Sequence, residues 1–128
     1  MAAHDLQALG DTLLSAGKAI NDRIEKEFDK LEFIQIHELS NKAQELLLKS
    51  KALFAKSVIE LGAEAKKNLE ALQDAKKEID DAIKKIKNVQ KAINIAGKLI
   101  TVAGHVLTGD LKAIPKAAKE VLTELKAK

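Results

Sequence analysis

Residues 93–106 read INIAGKLITVAGHV, a seven-residue unit that occurs twice in succession. The isoleucine, alanine and glycine of the first unit return in the second, as Ile93, Ala96, Gly97, Ile100, Ala103 and Gly104. Only four of the fourteen residues are polar: an asparagine, a lysine, a threonine and a histidine. Because a helix that is apolar on nearly every side is buried, the stretch predicts a helix enclosed by other helices or by another apolar environment.

The seven-residue spacing extends well before this stretch. Apolar residues recur at intervals of seven at Val58, Ala65, Leu72, Ile79, Ile86, Ile93, Ile100 and Leu107. A repeat sustained this long predicts left-handed coiled-coil packing, and the frequent alanines at the companion positions favour close antiparallel neighbours. No proline interrupts residues 63–107, so the pattern predicts one helix about 67 Å long. A compact domain of this size is about 35 Å across, so either the helix breaks or the molecule is elongated and oligomeric.

The rest of the chain also places apolar residues at helical spacing. The pattern predicts further helices over about 5–34, 40–61 and 111–127. Ser40 is a candidate N-cap, and Gly109 is a candidate C-terminal cap before the last helix. Aromatic residues make up 2% of the chain and there is one proline, a composition typical of long helices. We therefore predict one all-α domain over residues 1–128, an elongated antiparallel helical bundle or coiled-coil hairpin of three to four helices.

A second copy of the glycine pattern lies near the N-terminus. Gly10 and Gly17 are seven residues apart, as Gly97 and Gly104 are. Because glycine lets two backbones approach closely, an antiparallel hairpin would place Gly10 near Gly104 and Gly17 near Gly97. The alternative is that each glycine is an isolated, mildly unfavourable helix residue. The predicted helix-packing residues are Gly10, Gly17, Ile93, Ala96, Gly97, Ile100, Ala103, Gly104 and Leu107.

Charge is distributed unevenly along the chain, whose net charge is +3. Residues 1–64 hold 8 basic and 11 acidic side chains, whereas residues 65–128 hold 14 and 8. Between Ala82 and Gly109 there are five lysines and no acid. These lysines form a solvated face that pairs with the acidic first half, or they contact an anionic surface. The candidate contacts are Lys84, Lys85, Lys87 and Lys91.

Patterns that carry catalytic or metal chemistry are missing from the sequence. There is no cysteine, and HELSN at His37 departs from the zinc-binding HExxH pattern because residue 41 is asparagine. Arg23 is the only arginine and no aromatic residue is interleaved with the lysines, which disfavours nucleic-acid binding. We predict a non-enzymatic protein with no cofactor, no metal and no small-molecule substrate. The N-terminus lacks a basic segment typical of signal peptides, which predicts a cytoplasmic protein unless a non-classical route exports it.

The stretch IDDAIKKIKNVQKAINIAGKLITVAGHVLTG, residues 79–109, resembles a region of the α-helical pore-forming toxins of the haemolysin BL and cytolysin A type. In those toxins a long amphipathic helix meets a hydrophobic segment. The resemblance implies an elongated helical bundle that conceals a membrane-seeking segment.

Two functions therefore stay open. The first is a helical-bundle protein that acts by helix–helix association, with itself as a homo-oligomer or with a protein partner. The alternative is a membrane-active protein that exposes residues 93–107 to lipid. A helix of that length reaches about 22 Å, short of the ~30 Å hydrocarbon core, so it would lodge in a membrane without spanning it.

Overall fold

The computed structural model describes residues 2–56 and 62–126 of the chain, and these residues form six helices without a strand. The helices are α1 (Ala2–Glu27), α2 (Phe33–Ala55), α3 (Ala63–Asp74), α4 (Lys76–Lys85), α5 (Val89–Thr108) and α6 (Ile114–Lys126). The predicted all-α class is confirmed, and the predicted number of three to four helices is wrong. The expected helix ends at Leu61 and Ala127, and the heptad residue Val58, lie outside the described residues.

The helices pack side by side around one core. Helices α1 and α2 form a hairpin, and α5 lies between α2 and α6. Helix α3 contacts α6 and α1, while α4 packs on α1 and also reaches α5, so the ring of contacts closes. All six helices contribute to the largest fully enclosed side chains, which are Leu13, Ile20, Leu39, Leu46, Leu53, Leu72, Ile79, Ile83, Ile95, Leu99, Val102 and Ile114. One continuous apolar core therefore holds the described helices together.

The turn between α1 and α2 falls earlier in the chain than predicted. Helix α1 ends at Glu27, and α2 begins at Phe33 instead of Ser40. The backbone N–H of Glu32 donates to the Gln35 side chain over 3.0 Å, which satisfies a donor at the start of α2. The sequence signal for this start is a glutamate followed three residues later by a glutamine, without the serine or threonine that usually leads such a pair.

The predicted single helix over 63–107 is interrupted twice. At Ala75 the backbone hydrogen bonds continue on both sides, so α3 and α4 form one rod with a local distortion. At Ile86 the backbone becomes extended (φ −65°, ψ 134°), which ends α4. The Asn88 side chain then caps α5 by accepting from the Lys91 N–H over 3.4 Å. The prediction of one 67 Å helix is therefore wrong.

Arg23 on α1 holds the break between α4 and α5 in place. The guanidinium is buried, and its Nη1 donates to the carbonyl oxygen of Ile83 over 2.9 Å. Its Nη2 donates to the carbonyl oxygen of Ile86. The last carbonyls of a helix have no partner within the helix, so a side chain that binds two of them stabilises the end of α4. The single arginine of the chain is thus a structural residue.

The buried face of α5 is offset from the predicted heptad. Its fully enclosed residues are Ala92, Ile95, Ala96, Leu99, Val102, Ala103 and Val106. The heptad residues Ile100 and Leu107 are only partly buried at the border of this face. Gly109 ends the helix at φ 77°, a left-handed conformation that glycine adopts without strain, as predicted. Pro115 lies in the first turn of α6.

Candidate interaction surface

The apolar stretch that the sequence singles out lies within the bundle. Ile93, Ala96 and Ala103 are buried, whereas Gly97 and Gly104 are partly exposed. Since the enclosed face of α5 packs against neighbouring helices, this stretch contributes mainly to the core. No described helix is both long enough and apolar enough to cross a membrane.

The predicted pairing of glycine faces is wrong within the chain. A Cβ atom added at Gly10 would lie 2.7 Å from the ring of Phe54, and one at Gly17 would lie 3.2 Å from Leu47. Both neighbours belong to α2, so the glycines of α1 accommodate α2 and not α5. A Cβ at Gly97 would meet only the Lys42 side chain, at 3.8 Å, and one at Gly104 would meet nothing within 4 Å.

Alanine substitutions at Gly104 and Gly10 are expected to have different effects on the stability of the protein. Gly104→Ala should raise the free energy of unfolding by roughly 0.5–1 kcal/mol, because alanine favours the helix and the site has room. Gly10→Ala should gain less or lose stability, because the Phe54 ring would have to move. Urea unfolding of both variants measures the difference. Destabilisation by Gly104→Ala would instead indicate a close backbone contact at that glycine.

The lysines predicted to contact an anionic surface are only partly brought together. Lys84, Lys85 and Lys87 are exposed at the break between α4 and α5. Lys84 Nζ lies 3.9 Å from Asp22 Oδ2, so one member already has a carboxylate neighbour in the acidic half. Lys91 is different, because only 7% of it is exposed. Lys91 therefore does not share that surface.

Asp80 links α4 to α1. Its carboxylate accepts a hydrogen bond from the Ser15 hydroxyl. Burial raises the pKa of the Asp80 carboxyl above its ordinary value, although the Ser15 hydrogen bond and the charges of Lys76 and Lys84 act in the opposite direction. Together with Arg23, this pair fixes α1 on α4 by polar contacts as well as by apolar packing. Among the described residues no three metal-ligating side chains cluster.

The outward side of α2 carries apolar residues that the bundle does not cover. Within residues 5–56 and 62–126, the exposed large apolar side chains are Phe28, Phe33, Ile34, Leu48 and Phe54. All five lie on α2 or in the turn that precedes it. Phe33 is 85% exposed, Ile34 63% and Leu48 59%. Phe54 differs from the others because its ring packs over Gly10 of α1.

The exposed residues at the start of α2 are also uncharged. From Phe33 to Gln44 they are Phe33, Ile34, His37, Ser40, Asn41 and Gln44. Charged residues make up 32% of the chain. Between Phe33 and Gln44 the charged residues Glu38 and Lys42 are half-buried, and the exposed Glu32 and Glu45 flank the stretch. The centres of protein–protein interfaces are depleted of charge and enriched in aromatic residues, and this part of α2 has both properties.

Four exposed residues of α2 are spaced at intervals of seven: Ile34, Asn41, Leu48 and Ala55. Residues seven apart lie on one face of a helix, and we call this set the outer seam. It lies on the opposite side of α2 from the buried residues Leu39, Ala43, Leu46, Ser50 and Leu53. The predicted first helix over about 5–34 includes Ile34, which is wrong, because Ile34 belongs to α2. The seven-residue spacing from Ile34 was the signal that could have identified the seam.

A comparison with known proteins adds no relative of this chain, since no family model, no curated protein and no solved structure matches it. The resemblance of residues 79–109 to α-helical pore-forming toxins therefore stays a prediction. The outer seam of α2, described by its exposure, its lack of charge and its spacing, is the candidate functional surface.

Proposed function

We propose that this protein is a non-enzymatic helical-bundle protein that acts by helix–helix association through the outer seam of α2. The observation that carries the proposal is the exposure of Phe33, Ile34 and Leu48 on the outward side of α2. Association along this face would extend the bundle into an elongated, coiled-coil-like assembly.

The energetics of apolar burial support a partner at this face. Burying one phenylalanine or isoleucine side chain is worth about 1.5–3 kcal/mol, and the bundle leaves Phe33 and Ile34 without that gain. A second helix laid along α2 would cover them. Between Ile34 and Leu48 lie the neutral polar residues His37, Asn41 and Gln44. They can be covered with little loss because amide and imidazole groups find hydrogen-bond partners across an interface.

The membrane-active alternative has less support. Ile95, Leu99 and Val102 are fully enclosed, so residues 93–107 would meet lipid only if α5 left its neighbours. The side of α5 that is not enclosed carries Asn94 and Thr101, which are polar. The exposed lysines at the α4–α5 break are the remaining feature that favours binding to an anionic surface. Substituting them tests the membrane-active alternative.

Leu48→Glu is expected to reduce association at least tenfold, a loss of about 1.4 kcal/mol or more, without unfolding the chain. The side chain is already exposed in the monomer, whereas a buried carboxylate at the seam would oppose association. A photo-crosslinking amino acid at Asn41, irradiated in cells that express the protein, measures this as covalent protein adducts. The control is Gln73→Glu, which adds the same negative charge at an exposed position of α3. It should leave the adducts unchanged.

Two results would contradict the proposal. Protein adducts that persist undiminished in Leu48→Glu would show that the seam is not the contact surface. Sedimentation with anionic vesicles that is lost in Lys84→Glu/Lys85→Glu/Lys87→Glu, with no protein adduct from Asn41, would favour the membrane alternative.

A further inference from the structure

We infer that α4 is a proton-sensitive latch on α1, held more tightly when the Asp80 carboxyl carries a proton and opening more often when it is ionised. Ser15 is the residue of α1 that Asp80 contacts. The inference goes beyond the proposed function, because it concerns the contact between α1 and α4 and makes no use of the outer seam.

Helix α4 has the boundaries of a segment that can open by itself. It is 10 residues long, with the local distortion at Ala75 before it and the extended residue Ile86 after it. Most of its packing is against α1. Proteins open locally in such short cooperative units, with free energies below that of global unfolding. The contact with α1 therefore decides how often α4 opens.

That contact includes a carboxylate that is only partly satisfied. On α4 the neighbouring Ile79 and Ile83 are fully enclosed. Asp80 Oδ2 accepts the hydrogen bond from the Ser15 hydroxyl. Its Oδ1 is buried, and no group within residues 2–56 and 62–126 donates to it. A buried carboxylate oxygen without a donor destabilises the packed state, because its charge has lost solvation that no hydrogen bond replaces.

A protonated carboxyl fits this geometry better than a carboxylate does. With a proton on Oδ2, Asp80 donates to the Ser15 oxygen, since a hydroxyl group accepts as well as donates. Oδ1 is then the oxygen of a neutral carboxyl, and burying it costs much less than burying an oxygen that shares a full charge. Protonation thus keeps the hydrogen bond between α1 and α4 and removes the buried charge.

The charged neighbours on α4 offset the burial of Asp80 only in part. Lys76 and Lys84 lower the pKa of Asp80, as the Ser15 hydrogen bond does, whereas Asp81 raises it. No charged group of α3, α5 or α6 in the described part of the chain contributes. Burial is the largest effect, so the pKa of the Asp80 carboxyl stays above its ordinary value.

Helix α1 contributes charges of both signs near this contact. Asp11 and Lys18 line a cleft of about 210 Å³ together with Ser15, and their charges oppose each other. Asp22 Oδ2 lies 3.9 Å from Lys84 Nζ, so part of the attraction of that lysine is directed to α1. The cleft brings solvent next to Ser15, which gives protons a route to the contact.

The direction of the pH dependence follows from the raised pKa. A carboxyl whose pKa is higher in the packed state than in the open state binds its proton more tightly when packed, so protonation favours packing. This stabilisation is fully present below the pKa of the open state and is lost as the pH rises through the higher pKa of the packed state. Helix α4 should therefore open least in acid and most near neutral pH.

Hydrogen exchange of the full chain tests the latch. At each pH the exchange rates of the α4 amides in Asp80→Asn are divided by those of the wild type, which cancels the intrinsic pH dependence of exchange. Near neutral pH, exchange in α4 should slow by at least about fivefold, the scale set by an unsatisfied buried polar group. As the pH falls to about 4, wild-type Asp80 becomes protonated and the ratio should move toward one. Amides of α2 should give a ratio near one throughout.

Two further variants complete the experiment. Asp81→Asn removes the same charge from the next residue, which is half-buried, and should leave the ratio near one at both pH values. Ser15→Ala removes the donor that favours the ionised carboxylate. It should speed exchange in α4, by a larger factor near neutral pH than in acid, because a hydrogen bond to a charged acceptor is the stronger one. This variant also tests the latch if Asp80→Asn fails to fold.

Three results would overturn the inference. If Asp80→Asn leaves exchange in α4 unchanged or faster near neutral pH, the ionised carboxylate does not weaken the contact. If the slowing is equal at both pH values, the proton is not its cause. If the α2 amides change as much as those of α4, the whole bundle opens together and α4 is not a separate latch. None of these results bears on the outer seam, so the proposed function would stand.

Discussion

Replacing Arg23 with alanine is expected to lower the free energy of unfolding by about 3 kcal/mol, because hydrogen bonds from a charged donor are worth about 1.5–3 kcal/mol each. The guanidinium binds the carbonyl oxygens of Ile83 and Ile86, and the substitution removes both bonds. Some of the loss is offset because water can reach the end of α4. Chemical denaturation of the purified variant measures the change, and hydrogen exchange should show the largest loss of protection at the end of α4.

Two further variants distinguish the hydrogen bonds that Arg23 makes to the end of α4 from the general effect of its positive charge. Lys26→Ala removes a positive charge from an exposed position on the same helix and should change stability by less than about 0.5 kcal/mol. Arg23→Lys keeps the charge, but a single ammonium group cannot match the planar fork of arginine, so it should recover only part of the loss. If Arg23→Ala costs no more than Lys26→Ala, the two carbonyl contacts contribute nothing to stability.

The sequence was sufficient to predict helices and the burial of most apolar side chains of residues 93–106. Both follow from local properties, since composition sets helix content and a helix that is apolar all round must be enclosed. The break at Ile86 could not be predicted in the same way. The seven-residue spacing passes through Ile79, Ile86 and Ile93 without interruption, and the group that holds the break is Arg23, about sixty residues away in sequence. Asn88, a good N-cap residue, was the one local sign.

The candidate surface was missed for a related reason. Helical spacing shows that residues share a face, but it does not show whether that face points to the core or to solvent. The spacing predicts that Ile34 ends the first helix, yet the turn between α1 and α2 separates it from α1 and places it on the outer seam. Only the arrangement of the six helices distinguishes the inner face of α2 from its outer face.

Helical spacing likewise does not show which face of α5 points to the core, and substitutions on its two faces test this. Leu99→Ala is expected to lower the free energy of unfolding by about 3 kcal/mol, within the 2–5 kcal/mol typical of deleting an enclosed leucine side chain. Leu99 is fully enclosed, so its loss leaves a cavity that the surrounding helices fill only in part. Leu107 belongs to the heptad that the sequence predicts to pack against other helices, but in the structure it is only partly buried.

Leu107→Ala is therefore the matched control, the same substitution on the same helix. It should cost about 1 kcal/mol, because a partly buried side chain loses less apolar contact and leaves no closed cavity. The two variants decide which stripe of α5 packs against the bundle. A larger loss at Leu107 than at Leu99 would mean that α5 is rotated toward the heptad face. Equal and small losses at both would mean that α5 is not enclosed, and the membrane-active alternative for residues 93–107 would then gain support.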